Sequence, residues 1–533
     1  MILINDTKFV ILVGILYFIG GAMERIKLLP WSKIKFVLKG IFVGAIAGAV
    51  VSAFRMIIHI LLDFMPTVYG FLKTNPIWII AWVLLVGVIG TVVILLGRDE
   101  PHIQGNGVAE LKGQLQGTLK LNWFSIMWRK FIASSLVLGL GIPLGQEGPS
   151  IQIGGMVGQG LNAILKGNKS QENIFISSGA AAGLAAAFNA PLSAFVLVLE
   201  EIHHRFSNVL ILSVFSASIT ASFVAFRLFG VEAAIGLGST SLFPIEGYIY
   251  LVLLGFILAM GGWLFQRGIF VGIPKFYDWL PIPRYLQGYI PFVLLILVGL
   301  VWTSMLGGGT SVITTIATEK FASSTLLIVL ILRFILFQLA YGSSIPGGSL
   351  VPSLAFGALL GAIYGNIIIE LTGMEAHYLR NFVIYGMGGF FTATTKAPLT
   401  AIVLITELTG SVNQMMSISI VCLAAYVISD MLGLEPTDEI TLRNKTSVYP
   451  SVFEGRIAMI DVTVSHNSQL DGEKVQNIEF PFNSKIIKIR RNDREFLPHG
   501  QLTLLPGDQL QIGSDEGFIS HVNRTISKLN EPK

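Results

Sequence analysis

The stretch GLGIPLGQEGPSIQIGG, residues 139–155, sets one carboxylate, Glu147, among glycines, prolines and isoleucines. A charge is expensive to bury in such apolar surroundings, so its presence asks for a function. Glycine and proline together mark a helix start, where backbone N–H groups lack intrahelical partners and the positive end of the helix dipole is presented. An anion suits that position, and Glu147 brings its own. The carboxylate is a tethered competitor for space that a free anion would use. Once protonated it loses its attraction for the helix end and can swing aside.

The chain repeats this device. GQEGPSIQIG from Gly145 aligns with GSLVPSLAFG from Gly348, and APLSAFVLVLE from Ala190 aligns with APLTAIVLITE from Ala397. Leu350 falls in the slot of Glu147, so only the first copy carries the proton-sensitive arm. In the second motif pair, Glu200 and Glu407 occupy equivalent places, which implies a structural role common to both halves. Glu201 aligns with Leu408 and is the unpaired carboxylate. It lies beside His203, His204 and Arg205 at the end of an apolar helix, suited to hand protons inward. Adjacent histidines without a spaced third ligand do not make a metal site, and no metal or other cofactor is expected. Duplicated halves with glycine- and proline-interrupted helices are a transporter pattern, in which broken helix ends meet near the bilayer midplane. A third glycine-rich start, GNGVAELKG from Gly105, adds Asn106 and Gly107 to the anion-binding set.

Composition agrees. The 533 residues are 53% hydrophobic and 13% charged, and the mean hydropathy of +0.70 places the chain in a membrane. The 57 glycines favour closely packed helices. A net charge of +4, with no basic cluster interleaved with aromatics, argues against nucleic acid. The single Cys422 excludes an intramolecular disulfide. An apolar run from Phe9 to Met23, followed by Arg25, Lys27, Lys33 and Lys35, reads as an extra membrane-inserted or interfacial helix over residues 1–34. Residues 35–448 read as an all-α polytopic membrane domain of duplicated halves with broken helices. Residues 449–533 change character. RIAMIDVTV and KIIKIRRNDREF alternate in period two, LTLLPGDQLQIGS reads as strand, turn and strand, and DEGFISHVNRTISKL reads as an amphipathic helix. That is a small C-terminal α/β domain.

From Lys35 to about Leu442 the chain resembles the CLC family of chloride channels and proton-coupled anion exchangers. GQEGP is similar to that family's G-[KR]-E-G-P motif, GGSLVP to its G-x-F-x-P motif, and GNGVAE, forty positions before GQEGP, to its first anion-binding motif. The resemblance implies a homodimer in a lipid membrane with one anion pathway per subunit, built from inverted repeats of tilted, partly spanning helices, and a transporter of chloride and protons rather than an enzyme. It makes Glu147 the gating glutamate, with Gly145, Gly148 and Pro149 shaping its helix start and Ser349 and Leu350 supplying backbone N–H groups. It makes Glu201 the internal proton residue and gives Glu110 and Lys130 structural roles. Two positions depart from the family. Asn106 replaces the serine that touches the central anion, keeping a donor. Asp438, two residues after Pro436, falls where the family has an inner-gate tyrosine, replacing a hydroxyl by a carboxylate that repels anions when ionised. Pro149 argues against the fluoride-exporting branch, which has threonine there.

The C-terminal domain resembles the TrkA-C, or RCK-C, module of potassium-transport systems. The resemblance implies a regulatory ligand, cyclic di-adenosine monophosphate, with Arg490, Arg491, Asn492 and His499 facing its phosphates or bases; a solvated basic strand is the alternative. Such a module suits a cytoplasmic face of a bacterial inner membrane. Three functions stay open on sequence. Proton-coupled exchange is supported by Glu147 and Glu201, and a passive channel by Asp438. A membrane ion sensor is the third, but no kinase, cyclase or nuclease motif follows Leu434.

Overall fold

The computed structural model describes residues 31–203, 207–230, 234–238, 240–448, 457–478, 484–491, 494–515, 522, 525, 526, 529 and 530. The expected helix before residue 31, together with His204, Arg205, Asn492 and most of the expected C-terminal helix, lies outside them. The chain divides into two compact units, residues 1–112 with 121–440, and residues 113–120 with 441–533.

The first unit is helical. Among the described residues seven helices are long and apolar enough to cross a membrane: Lys33–Thr74, Trp78–Asp99, Asn208–Phe229, Ile245–Trp279, Ser323–Gly342, Leu350–Thr372 and Val412–Met431. Other apolar stretches form shorter helices, including Ile290–Val301 and Pro398–Thr409. These are the broken helices that the glycine and proline punctuation predicts. Outward faces such as Ile80, Leu84 and Val88 on Trp78–Asp99 are exposed, as lipid-facing side chains are.

Both halves are built alike. Glu147–Ile164 packs on Lys169–Phe188, and its counterpart Leu350–Thr372 packs on Leu379–Thr395. Glycine makes both crossings possible. A Cβ on Gly154 would strike the carbonyl of Gly179, and one on Gly357, its repeat equivalent, would strike the carbonyl of Gly386. Small residues let membrane helices approach to backbone distance, where dispersion replaces the hydrophobic drive that lipid removes.

The halves are also tied across the repeat. Glu407 accepts hydrogen bonds from the N–H groups of Leu192 (3.0 Å) and Ser193 (2.7 Å), at the start of helix Pro191–Leu197. Glu200 accepts in the same way from Leu399 (3.1 Å), Thr400 N (2.6 Å) and the Thr400 hydroxyl (2.7 Å), at the start of Pro398–Thr409. Each carboxylate caps the other copy's Ala-Pro-Leu helix, satisfying N–H groups that proline-led first turns leave open. The common structural role expected of Glu200 and Glu407 is the one the geometry gives them. Hydrogen bonds to a charged acceptor contribute about 1.5–3 kcal/mol each. Glu407→Gln and Glu200→Gln are therefore each expected to lower stability by about 2 kcal/mol, read as earlier thermal unfolding in detergent; unchanged unfolding would remove the caps from the account.

A second symmetric device was not read from the sequence. Lys130, fully buried, donates to the carbonyls of Ile103 (2.8 Å) and Gly105 (2.7 Å). Arg333, also buried, donates to those of Met305 (3.2 Å) and Gly307 (2.8 Å). In each half a buried cation holds the glycine-rich loop that leads into a short helix, Val108–Gln116 or Thr310–Thr318. Lysine in one copy and arginine in the other hid the correspondence from residue matching.

The second unit carries a four-stranded antiparallel sheet: β1 (Ile457–Thr463), β2 (Lys485–Arg491), β3 (Arg494–Phe496) and β4 (Gln509–Asp515), in the order β1-β4-β2-β3. Its core includes Ile460, Ile486, Ile489, Leu510 and Ile512. Strict alternation fails in β2, because the register against β4 shifts between Ile486 and Lys488. The extra residue turns Ile487 outward and lets Ile486 and Ile489 both face the core. The Pro506-Gly507 turn leads into β4 as expected, with Gly507 at φ +88° and Asp508 N donating to Leu505 O, but the strand expected before the turn is only a single bridge between Thr503 and Lys474.

Candidate functional site

The two aligned motifs meet. Gly145 N donates to Gly348 O at 2.8 Å and Gly348 N to Gly145 O at 2.7 Å, an antiparallel bridge between repeat-equivalent residues just before their helices. The third glycine-rich segment joins them, as Gly347 N donates to Gly105 O at 3.1 Å.

The bridge brings the start of Leu350–Thr372 against Glu147, at the first position of its own helix. Glu147 Oε1 accepts from Leu350 N and, at 3.3 Å, from Val351 N. The carboxylate thus occupies the N-terminal end of the second copy's helix, the position at which backbone donors and dipole favour an anion. Leu350, expected to donate to an anion, donates here to the Glu147 carboxyl. Val351, rather than Ser349, is the other donor, because the helix begins at Leu350 and places Ser349 at its cap. Ser349 lines the adjoining cavity instead. Glu147 Oε2 is buried and makes no hydrogen bond.

Glycine provides the room. A Cβ at Gly145 or Gly348 would collide with the Glu147 carboxyl, and one at Gly148 with Asn106. Gly105 (φ +68°) and Gly107 (φ +94°) take left-handed backbone, which brings the Asn106 loop in against the helix start. Pro149 lies in the first turn of Glu147–Ile164, where its missing N–H removes no intrahelical bond.

A cavity of about 30 Å³ adjoins the carboxyl, lined by Asn106, Glu147, Glu201, Ser349, Leu350 and Asp438 among others. Phe265 forms part of its apolar wall, stacked on Phe337 with ring centroids 5.2 Å apart. Most of the sequence-derived site residues therefore line one space or its immediate support. Glu201 sits on a π-helical stretch, Val198–His203, whereas its repeat counterpart lies in the regular α-helix Pro398–Thr409. The wider turn changes the direction of side chains late in the first copy, and such turns recur at functional sites. It separates Glu200, bonded to Thr400, from Glu201, which faces the cavity.

Asn106 Nδ2 donates to Asp438 Oδ1 at 3.0 Å. The amide expected to serve the anion directly also serves Asp438. Asp438 is in the first turn of Thr437–Val448. Gln266, donating to Glu435 O (2.7 Å) and Thr437 Oγ1 (3.1 Å), and Thr437, donating to Thr394 O (2.8 Å), fix that turn. Gln266 and Thr394 escaped sequence reasoning because a lone amide and a lone threonine carry no pattern. Among the described residues no cluster of potential metal ligands is present.

In the second unit Arg491 is committed to its own fold. Its guanidinium makes a two-pronged ion pair with Asp508, both contacts 2.6 Å, and donates to Thr503 O at 2.8 Å. Asp508 is fully buried and holds the Arg491 guanidinium above its usual pKa. The expectation that Arg491 faces a ligand is corrected on that ground: releasing it would strand a buried carboxylate. Arg490 and Lys488 line a groove of about 370 Å³ with Asp461 and Glu495. His499 lies beyond β3, in the loop before β4.

Residues 89–430 match the family pattern described as "Voltage gated chloride channel", and residues 459–520 the TrkA-C domain. A relative from Klebsiella pneumoniae (strain 342), the H(+)/Cl(-) exchange transporter ClcA, is 32% identical over 438 residues, covering 78% of this chain and 90% of the relative. The ClcA exchange transporter of Vibrio parahaemolyticus is 30% identical, covering 74% and 86%. Among solved structures, a slow cyanobacterial Cl-/H+ antiporter superposes with a TM-score of 0.74 at 28% identity, over 78% of this chain and 98% of the other. The fold is that of a membrane transport protein. The chain belongs to the voltage-gated chloride channel (CLC) family, with a TrkA-C domain at its C-terminal end.

Proposed function

We propose that this chain exchanges chloride, or a similar small anion, for protons across a membrane. Glu147 acts as the gate and Glu201 as the inner proton residue. The observation that carries this reading is that both carboxyls line one cavity, with Glu147 bonded to the helix start an anion would otherwise occupy. A carboxylate there excludes the anion. A proton on it frees the N–H groups, so the two ions alternate at one place. In vesicles loaded with high chloride and diluted into low chloride, chloride efflux is expected to draw protons in and leave the medium alkaline. Efflux with no proton uptake would instead establish a passive channel.

Asn106 is the residue we assign to anion preference, because an amide donor has a different reach from a hydroxyl. Asn106→Ser is expected to change the chloride-to-nitrate permeability ratio by about threefold or more; identical ratios would take Asn106 out of the site. We also propose that two copies assemble, each with its own pathway, in a bacterial inner membrane with the C-terminal domain in the cytoplasm. A cyclic dinucleotide, here cyclic di-adenosine monophosphate, is retained as the ligand of that domain, with Arg490 and His499 as its contacts. Calorimetry with the full-length chain and its Arg490→Ala variant tests this, and absence of heat from both would discard it.

A further inference from the structure

Two carboxyls share one wall of the cavity. Glu201 comes from the π-helical stretch and Asp438 from the first turn of Thr437–Val448; both are more than nine-tenths buried. Their side chains lie within hydrogen-bonding range of each other. An ionised carboxylate only accepts hydrogen bonds, so a bond between two of them needs a proton on one. Asp438 is meanwhile held by Asn106 through Oδ1 at 3.0 Å.

The pair stands among other buried or half-buried charged side chains. Lys112, buried on Val108–Gln116, faces both carboxyls, but Glu439 already accepts from it at 2.8 Å. Glu110 on the same helix is buried near Asp438, and Glu147 lines the same cavity as Asp438. Two buried carboxyls beside one another, with the nearby cation Lys112 already bonded to Glu439, are the setting in which carboxyls share a single proton.

We propose that Asp438 is a proton carrier, holding one proton jointly with Glu201 and relaying it into the cavity that Glu147 shares. The proton leaves a Glu201 carboxyl oxygen and bonds to a carboxylate oxygen of Asp438. Glu201 becomes ionised, Asp438 neutral, and the charge of the pair is unchanged. From Asp438 the proton bonds to a water in the cavity of about 30 Å³, which has room for one, and that water gives a proton to the Glu147 carboxylate that lines the same space, leaving Asp438 ionised and Glu147 neutral. The carboxylate at this position thereby links Glu201 to the cavity that Glu147 lines. The proposal rests on the exchange reading.

The test measures chloride efflux and proton uptake together, with the full-length chain in vesicles. Asp438→Asn keeps the size and can still accept from Asn106. It is expected to lower protons moved per chloride at least tenfold while chloride still leaves. Asp438→Glu restores a carboxyl and is expected to recover at least a third of the wild-type ratio. The double variant with Glu201→Gln is expected to couple no worse than either single one, since the pair acts as a unit. A wild-type ratio in Asp438→Asn would overturn the role of Asp438 and leave exchange standing. A wild-type chain that moves no protons would overturn both. The infrared carboxyl band of the purified chain gives a readout that does not need transport: it is expected to change in Asp438→Asn and in Glu201→Gln. A band unaltered by Asp438→Asn would refute proton sharing.

Discussion

Glu147→Gln is expected to pass chloride and to move no protons with it. Glu147 Oε1 is held by the N–H groups of Leu350 and Val351, at the start of a helix whose dipole favours negative charge. Hydrogen bonds to an ionised acceptor contribute about 1.5–3 kcal/mol each, and to a neutral one about half of that. Protonation therefore removes much of what keeps the side chain in place, and the helix end becomes available. Glutamine is permanently neutral: it weakens the hold in the same way and has no proton to carry. Protons per chloride are expected to fall more than tenfold, measured as alkalinisation of the medium during chloride efflux. Continued proton uptake in that variant would remove Glu147 from the proton path.

The second large effect is expected at Glu201, and its neighbour provides the control. Glu201→Gln deprives the cavity of the carboxyl beside Asp438, so proton movement is expected to fall more than tenfold while chloride efflux continues, since Asn106 and Leu350 keep their donors at the cavity. Glu200→Gln, one residue earlier, breaks the cap on Pro398–Thr409 instead. It is expected to reduce stability and leave the ratio of protons to chloride unchanged. If the two variants exchanged these phenotypes, the assignment of one carboxyl to structure and the other to protons would be reversed. The contrast is sharp because adjacent residues are sent in different directions by a π-helical turn.

Much of this arrangement was legible before any coordinates. The repeat of Gly145–Gly154 in Gly348–Gly357 marked the two helix starts, and the pairing of Glu200 with Glu407 pointed to a structural role common to both halves; that this role is a reciprocal cap emerges only from the folded contacts. Val351 was missed in favour of Ser349 because helix starts are not fixed to one residue by sequence. The cationic clasps of Lys130 and Arg333 were invisible as a pair, because chemistry rather than identity is kept between the copies. Asp438 was read as an inner gate that repels anions. Its place beside Glu201 and Asn106 depends on contacts across more than two hundred residues, for which a single sequence holds no signal. Arg491 looked like a ligand contact until its ion pair with Asp508 was located.

The most direct test of coupled exchange is the reversal potential of the full-length chain in a planar bilayer, at a fixed chloride gradient and a varied pH gradient. A chain that carries chloride alone reverses at the chloride equilibrium potential whatever the pH on either side. The geometry of Glu147 and Glu201 around one cavity predicts a reversal potential that moves with the pH gradient, and that returns to the chloride value in Glu147→Gln. A wild-type potential that stays at the chloride value through the whole pH series would contradict the account.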